Sequence, residues 1–246
     1  MDTRAIEAAT AHRPWRLPSL PWILAQSWRN LLFAHWRLPP ELLRPLVPAP
    51  LQLDLYEGEA WVGITSFEIR EFRVRGLPPL PGLAAFPELN LRTYVRAGGR
   101  FGVHFFSLDA GSRLAAAGAR IAFRLPYRAA TMSLRRSGTE IRFRSERDGV
   151  ARFRAVYAPT DAPWEAAAGS LEHFLTERYA LFTVLRSGRV LRADIHHRPW
   201  PLQRARATLR PEQLAAAEGV PVPAGPPLLH FAHRQDTLIW APTVES

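Results

Sequence analysis

Glu88-Leu89-Asn90-Leu91-Arg92-Thr93-Tyr94-Val95-Arg96 alternates polar and aliphatic residues with the period of two that a β-strand requires. Gly98-Gly99 follows, and Arg100-Phe101-Gly102-Val103-His104-Phe105-Phe106-Ser107-Leu108-Asp109 takes the strand pattern up again. Two such runs separated by a glycine pair predict a β-hairpin. The first strand sorts Glu88, Asn90, Arg92, Tyr94 and Arg96 onto one face and Leu89, Leu91, Thr93 and Val95 onto the other. Alternation alone leaves two arrangements open. Either the polar face meets water, or it lines the inside of a closed barrel while the aliphatic face packs under helices. In the second arrangement a carboxylate, an amide, a guanidinium and a phenol share one wall and could bind and polarise a small anion. On the next strand Gly102, His104 and Phe106 share a face. Gly102 marks a close approach of backbone or ligand, and His104 beside Glu88 would form an acid/base pair.

Working outward, Leu20 to Trp28 reads as a short helix, Asn30 to Leu38 as a strand, and Pro39 to Arg44 as another short helix. Ala60 to Arg70 is a strand, and the Gly/Pro-rich stretch from Gly76 to Pro87 is long enough to form a rim or lid. Beyond the hairpin, Ser112 to Ala119 is helical. Strands follow near 120–126, 130–136, 140–145 and 150–157. Ser170 can cap a helix from Leu171 to Phe182, and Pro211 and Gly219 bracket a further one. Leu228 to His233 and Thr237 to Trp240 close the chain as strands. Within Ile141 to Tyr157, a three-residue Arg147-Asp148-Gly149 loop would set Arg144 opposite Arg152 and Arg142 opposite Arg154, with four arginines on one face. The organisation expected is a loosely ordered arm over residues 1–18 and a single strand-dominated α+β domain over 19–246.

Composition narrows the chemistry. The 246-residue chain has 47% hydrophobic and 22% charged residues, ordinary values for a globular protein. Cysteine is absent, which removes disulfides, cysteine nucleophiles and thiolate metal sites. All 32 of its Lys+Arg residues are arginine. Schiff-base chemistry, pyridoxal-phosphate attachment and the phosphate-binding P-loop lysine are therefore excluded, save through the terminal amine. The net charge of +10 invites a nucleic-acid reading. The distribution argues against one, since no run exceeds two adjacent arginines and only residues 101–150 are markedly basic. No stretch approaches the ~18 apolar residues of a membrane span, and Met1 to Pro18 lacks a signal-peptide apolar core, so a cytoplasmic location is expected. His196-His197, adjacent on a strand, would point to opposite faces and chelate poorly; no metal and no cofactor are expected. Ser107 and Ser170 lack a nucleophile-elbow glycine pattern.

Several segments together resemble the YqjF-like family of uncharacterised proteins, in the acetoacetate decarboxylase-like superfamily. They include Leu32-Phe33-Ala34-His35-Trp36, Tyr56-Glu57-Gly58-Glu59-Ala60-Trp61-Val62-Gly63, Glu88 to Val95, Gly102 to Asp109, Leu125-Pro126-Tyr127, Phe174 to Tyr179 and His197-Arg198-Pro199-Trp200. The resemblance implies a β-barrel with flanking short helices and a polar small-molecule pocket inside it, and it favours the inward-facing reading of Glu88. It also admits a homo-oligomer. In similar decarboxylases a Schiff-base lysine stands on the strand after the glutamate-bearing one. Here that strand offers Val103, His104 and Phe105, so imine-dependent decarboxylation is excluded.

Two functions stay open. One is a lyase or isomerase acting on a small carboxylate or keto acid. There Arg92, Asn90, Gly102 and Tyr127 would bind substrate, Glu88 or His104 would move a proton, and Tyr94 would hydrogen-bond an enolate oxygen. The alternative is a non-catalytic small-ligand-binding or structural barrel protein in which the same side chains form a buried polar network. In either case the partner is a small, anionic molecule, with no nucleic acid and no membrane.

Overall fold

The computed structural model describes residues 1–78, 80 and 83–245. In chain order the strands are β1 (Leu24–Leu38), β2 (Gln52–Leu53), β3 (Ala60–Val74), β4 (Ala85–Ala97), β5 (Arg100–Ala110), β6 (Tyr127–Ala129) and β7 (Thr131–Ser137). They continue as β8 (Glu140–Arg147), β9 (Ala151–Pro159), β10 (Ala180–Val184), β11 (Val190–His197), β12 (Gln203–Arg210), β13 (Leu228–Ile239) and β14 (Thr243–Val244). The helices are short: α1 (Thr3–Ala8), α2 (Pro40–Leu43), α3 (Arg113–Phe123), α4 (Leu171–Thr176) and α5 (Glu212–Ala217).

Strands β11, β10, β5, β4, β3, β1 and β13 are hydrogen-bonded in that order. β11 then pairs back onto β13 through Ile195 with Ile239, His196 with Leu238 and His197 with Thr237, which closes the ring. From β13 the sheet runs on through β12, β9, β8 and β7. That wing folds over the outer faces of β1, β3 and β4. Leu32, Ala34, Ile64, Leu89 and Leu91 meet Phe143, Phe153 and Ala155 there in one buried cluster. The opposite faces of the same strands point into the ring, where Leu31, Phe33, Phe67 and Trp200 form a second cluster. The fold is α+β and strand-dominated, as expected.

The β4–β5 hairpin turns on Gly98 and Gly99, both at positive φ (55° and 72°), the conformation that a two-residue type I′ connection needs. Several local expectations are corrected. The run from Leu20 enters β1 at Leu24 rather than forming a helix: the strand is covered on both faces and mixes apolar and polar residues on each, so it has no period to betray it. The region near 120 continues α3 to Phe123, while the helix capped by Ser170 ends at Thr176 and Ala180 begins a strand. Leu228 to Ile239 is one strand. β4 starts at Ala85, so the loop is shorter than expected, and its residues 79, 81 and 82 lie outside the described residues.

The β8–β9 loop has three residues, but they are Asp148, Gly149 and Val150. Arg144 therefore faces Arg154, Glu146 faces Arg152 and Arg142 faces Val156. The face is unchanged, and between β8 and β9 the directly opposed arginine pair is Arg144 with Arg154. Arg142 pairs with Glu140 at 2.9 Å and Arg152 with Glu146 at 3.3 Å. Several of residues 1–18 pack on the ring. Asp2 caps α1, Ile6 packs with Ala25, Leu238 and Trp240, and Arg13 donates to the Ile195 carbonyl at 2.6 Å. No helix among the described residues is long and apolar enough to cross a membrane.

Gly102 is where β10 comes closest to β5, as a Cβ built there would lie 2.3 Å from the Ala180 carbonyl oxygen. Backbone has to move to admit it. Gly102→Ala is expected to destabilise the fold by ~1–3 kcal/mol in denaturant unfolding. A change smaller than about 0.5 kcal/mol would show that β10 yields freely.

Candidate functional site

β4 carries its polar face inward because its aliphatic face is claimed by the wing. With Leu89 and Leu91 packed outside, Glu88, Asn90 and Arg92 line a cavity of about 70 Å³ within the ring, together with Thr65, Tyr127, Arg178, His197 and Trp200. Glu88 is 5% exposed, and Tyr127 donates to its Oε2 at 3.0 Å. Burial, partly opposed by that hydrogen bond, pushes the Glu88 carboxyl up to about 8. The neutral form is thus favoured at pH 7.

The Arg92 guanidinium lies over the Phe33 ring at 5.3 Å and near the Tyr94 ring at 5.9 Å. No carboxylate comes within 4.0 Å of it among the described residues, and its buried Nε has no hydrogen-bond partner. Arg178 reaches the same cavity from the turn after α4. Its Nε donates to the Phe174 carbonyl at 2.5 Å and its NH1 to Asp54 Oδ2 at 2.5 Å, which leaves NH2 without a partner. Asn90 Oδ1 and Thr65 Oγ1 are likewise buried and unpartnered. Four orphaned polar atoms on one small cavity make a wall ready to hydrogen-bond a polar guest.

Tyr94 is 0% exposed. Its hydroxyl donates to the Leu175 carbonyl at 2.9 Å, an atom that can only accept, so His35 Nε2 at 2.8 Å must be the donor to Tyr94. His35 is accordingly a neutral Nε2–H tautomer, and burial and Arg92 hold its pKa well below the ordinary value. Its ring fits only because Gly63 faces it, since a Cβ there would sit 2.8 Å from His35 Cδ2. The Tyr94 hydroxyl is thereby engaged, and its ring supports Arg92 on one hand and Arg178, at 4.8 Å, on the other.

Tyr94 does not line the cavity, and two further expected site residues lie elsewhere. His104 pairs with Thr93, whereas Arg92 pairs with Phe105 and Tyr94 with Val103. Cross-strand partners share a face, so Val103 and Phe105 point into the ring and His104 points out, bonding the Phe182 carbonyl at 3.2 Å. It is not beside Glu88. Gly102 also lies off the cavity, and its close neighbour is backbone. Glu88, Asn90, Arg92 and Tyr127 do converge on one space, and Arg178, Thr65 and Trp200 join them without having been singled out, while His35 stands behind Tyr94. His196 and His197 part as adjacent strand residues must. His197 faces the cavity while His196 Nε2 meets the Ile6 carbonyl at 2.7 Å. No three His, Asp or Glu side chains gather as a metal site among the described residues.

A family model described as DUF2071, "Uncharacterized conserved protein (COG2071)", matches residues 25–236. The chain belongs to this family. It is 46% identical over 226 residues, 91% of this chain and 93% of the other, to the uncharacterised protein YqjF of Bacillus subtilis strain 168. Among solved structures, the enduracididine biosynthesis enzyme MppR complexed with pyruvate superposes with a TM-score of 0.67 at 14% identity, covering 96% of this chain and 95% of that one. The acetoacetate decarboxylase of Legionella pneumophila gives 0.64 at 16%, covering 98% and 95%. This DUF2071 protein therefore has the acetoacetate decarboxylase-like fold.

The raised Glu88 pKa links stability to pH with a definite sign. Unfolded, the group titrates near 4.5; folded, near 8. Between these values the folded chain holds a proton that the unfolded chain has released, so stability is lost as pH rises through the window. Relative to Glu88→Gln, the wild-type unfolding free energy should fall from pH 5 to pH 8, at a slope of up to ~1.4 kcal/mol per pH unit. Parallel pH curves for the two proteins would mean that Glu88 ionises normally.

Proposed function

We propose that this protein binds a small oxo carboxylate inside the ring and transfers a proton at the carbon next to its oxo group, without a covalent imine. The observation that carries this reading is Arg92, a half-buried guanidinium on the cavity wall with no carboxylate partner and an unpartnered Nε among the described residues. Arg92 and the free NH2 of Arg178 supply donors for a substrate carboxylate. Glu88, neutral and held by Tyr127, supplies the proton for the oxo oxygen as negative charge develops there. Tyr94 is a positioning residue, with its ring between the two guanidinium groups.

A carboxylate gripped by arginine is stabilised as an anion, which favours keeping it over expelling it as carbon dioxide. The reading is therefore of isomerase or lyase type: the C–H bond beside the oxo group releases its proton to water while Glu88 protonates the oxygen, and the enol returns both on reversal. That MppR has been solved with pyruvate supports a small oxo acid as the first compound to try.

The test is hydrogen–deuterium exchange of the pyruvate methyl group, followed by NMR in D₂O. Wild type should catalyse exchange, and Glu88→Gln should slow it by about 100-fold or more while still binding pyruvate. Arg92→Met should lose binding, seen as loss of the thermal shift that pyruvate produces in wild type. Binding that depends on Arg92 with no catalysed exchange would assign the protein to the non-catalytic class instead.

A further inference from the structure

The polar cavity is too small to be the whole binding site. At about 70 Å³ it has the volume of roughly two waters, enough for a carboxylate head and little more. Against it lies a second, apolar chamber of about 390 Å³ between α3 and the ends of β1, β3 and β4. The two share walls: Gln26, Glu88, Leu125 and Tyr127 border both. The carboxyl of Glu88 and the hydroxyl of Tyr127 thus stand at the junction, with the arginines on one side and an apolar space on the other.

The chamber owes its volume to α3. The residues this helix turns toward β3 and β4 include Ala115, Gly118 and Ala119, and a Cβ at Gly118 would meet no atom within 4 Å. Phe72, Phe86 and Phe123 are among the other walls, and Leu114, also on the lining, is 60% exposed. The size falls within the roughly 300–1,000 Å³ of ligand pockets.

We infer that the ligand is a carboxylic acid with an unbranched or aryl apolar tail, its head in the polar cavity and its tail in the chamber under α3. This rests on the reading of Arg92 and Arg178 as the carboxylate site. It goes beyond that reading in naming a medium-chain acid rather than one of pyruvate size.

The experiment is calorimetric titration of straight-chain carboxylates from butanoate to decanoate at pH 6 into the full chain. Wild type should bind each longer acid about four-fold more tightly per added methylene until the chamber is full, the ratio that ~0.8 kcal/mol per buried methylene gives. Ala119→Phe should flatten the series while leaving butanoate unchanged. Gly118→Leu should do the same and adds helix propensity, so a filled chamber is obtained even where the bulkier variant fails to fold. Arg92→Met should weaken every acid by a common factor and keep the slope.

Affinity independent of chain length, with butanoate still requiring Arg92, overturns the inference and leaves the head-group reading standing. Affinities that rise with chain length but do not fall in Arg92→Met overturn the head-group reading and the acid with it. Failure of every acid to bind overturns both.

Discussion

Positive charge inside a closed ring of strands is the constraint to which the rest of the site answers. Arg178 is 7% exposed and Arg92 is half-buried, and removing such groups from water costs several kcal/mol each unless they find partners. Arg178 finds Asp54, which it shares with Arg96 at 2.5 Å. Arg92 lies against the Phe33 and Tyr94 rings and finds no carboxylate among the described residues. Tyr94 lies within 6 Å of both guanidinium carbons, and its hydroxyl is tied down by His35 and Leu175, so the ring cannot swing away. His35 stays neutral in consequence, since a second cation there would compound the cost. The architecture concentrates positive potential in a small space, the feature on which the proposed anion site rests.

Much of this was legible in β4 itself. Once Leu89 and Leu91 are assigned to packing, the period of two sends Glu88, Asn90 and Arg92 to the other side of the strand. The error at His104 had its remedy in the same stretch. A two-residue Gly98-Gly99 turn pairs Ala97 with Arg100, and counting back pairs Thr93 with His104, so the histidine shares the aliphatic face. The register holds only as far as Arg92, because an irregularity between Leu91 and Arg92 leaves Phe106 unpaired and brings Leu108 inward opposite Asn90. No turn residue announces that irregularity.

The missed residues were hidden for different reasons. Arg178 sits where helical spacing of Leu171, Phe174, Leu175 and Tyr179 suggests an uninterrupted helix. The helix ends at Thr176 instead, and the turn through Glu177 delivers the arginine to the cavity. Tyr179 and Phe182, at helical spacing, belong to the turn and to β10. Their period was accidental. Phe33 and Trp200 come from elements far apart in the chain, and the pairing of β11 with β13 brings them together. Only the closed topology makes them neighbours, and no local pattern encodes it.

The relation to acetoacetate decarboxylase follows from how the strands divide their duties. The outer face of β4 is fixed by contact with the wing, where a change of one methylene is felt by packed neighbours. The inner face borders a cavity, so its residues answer mainly to the guest. A ring built this way can retain its packing while the inner side chains change. A chain without lysine can then share the fold of an acetoacetate decarboxylase while presenting a carboxyl and two guanidinium groups on its inner faces. Packing and cavity lining are separable here because they are written on opposite faces of the same strands.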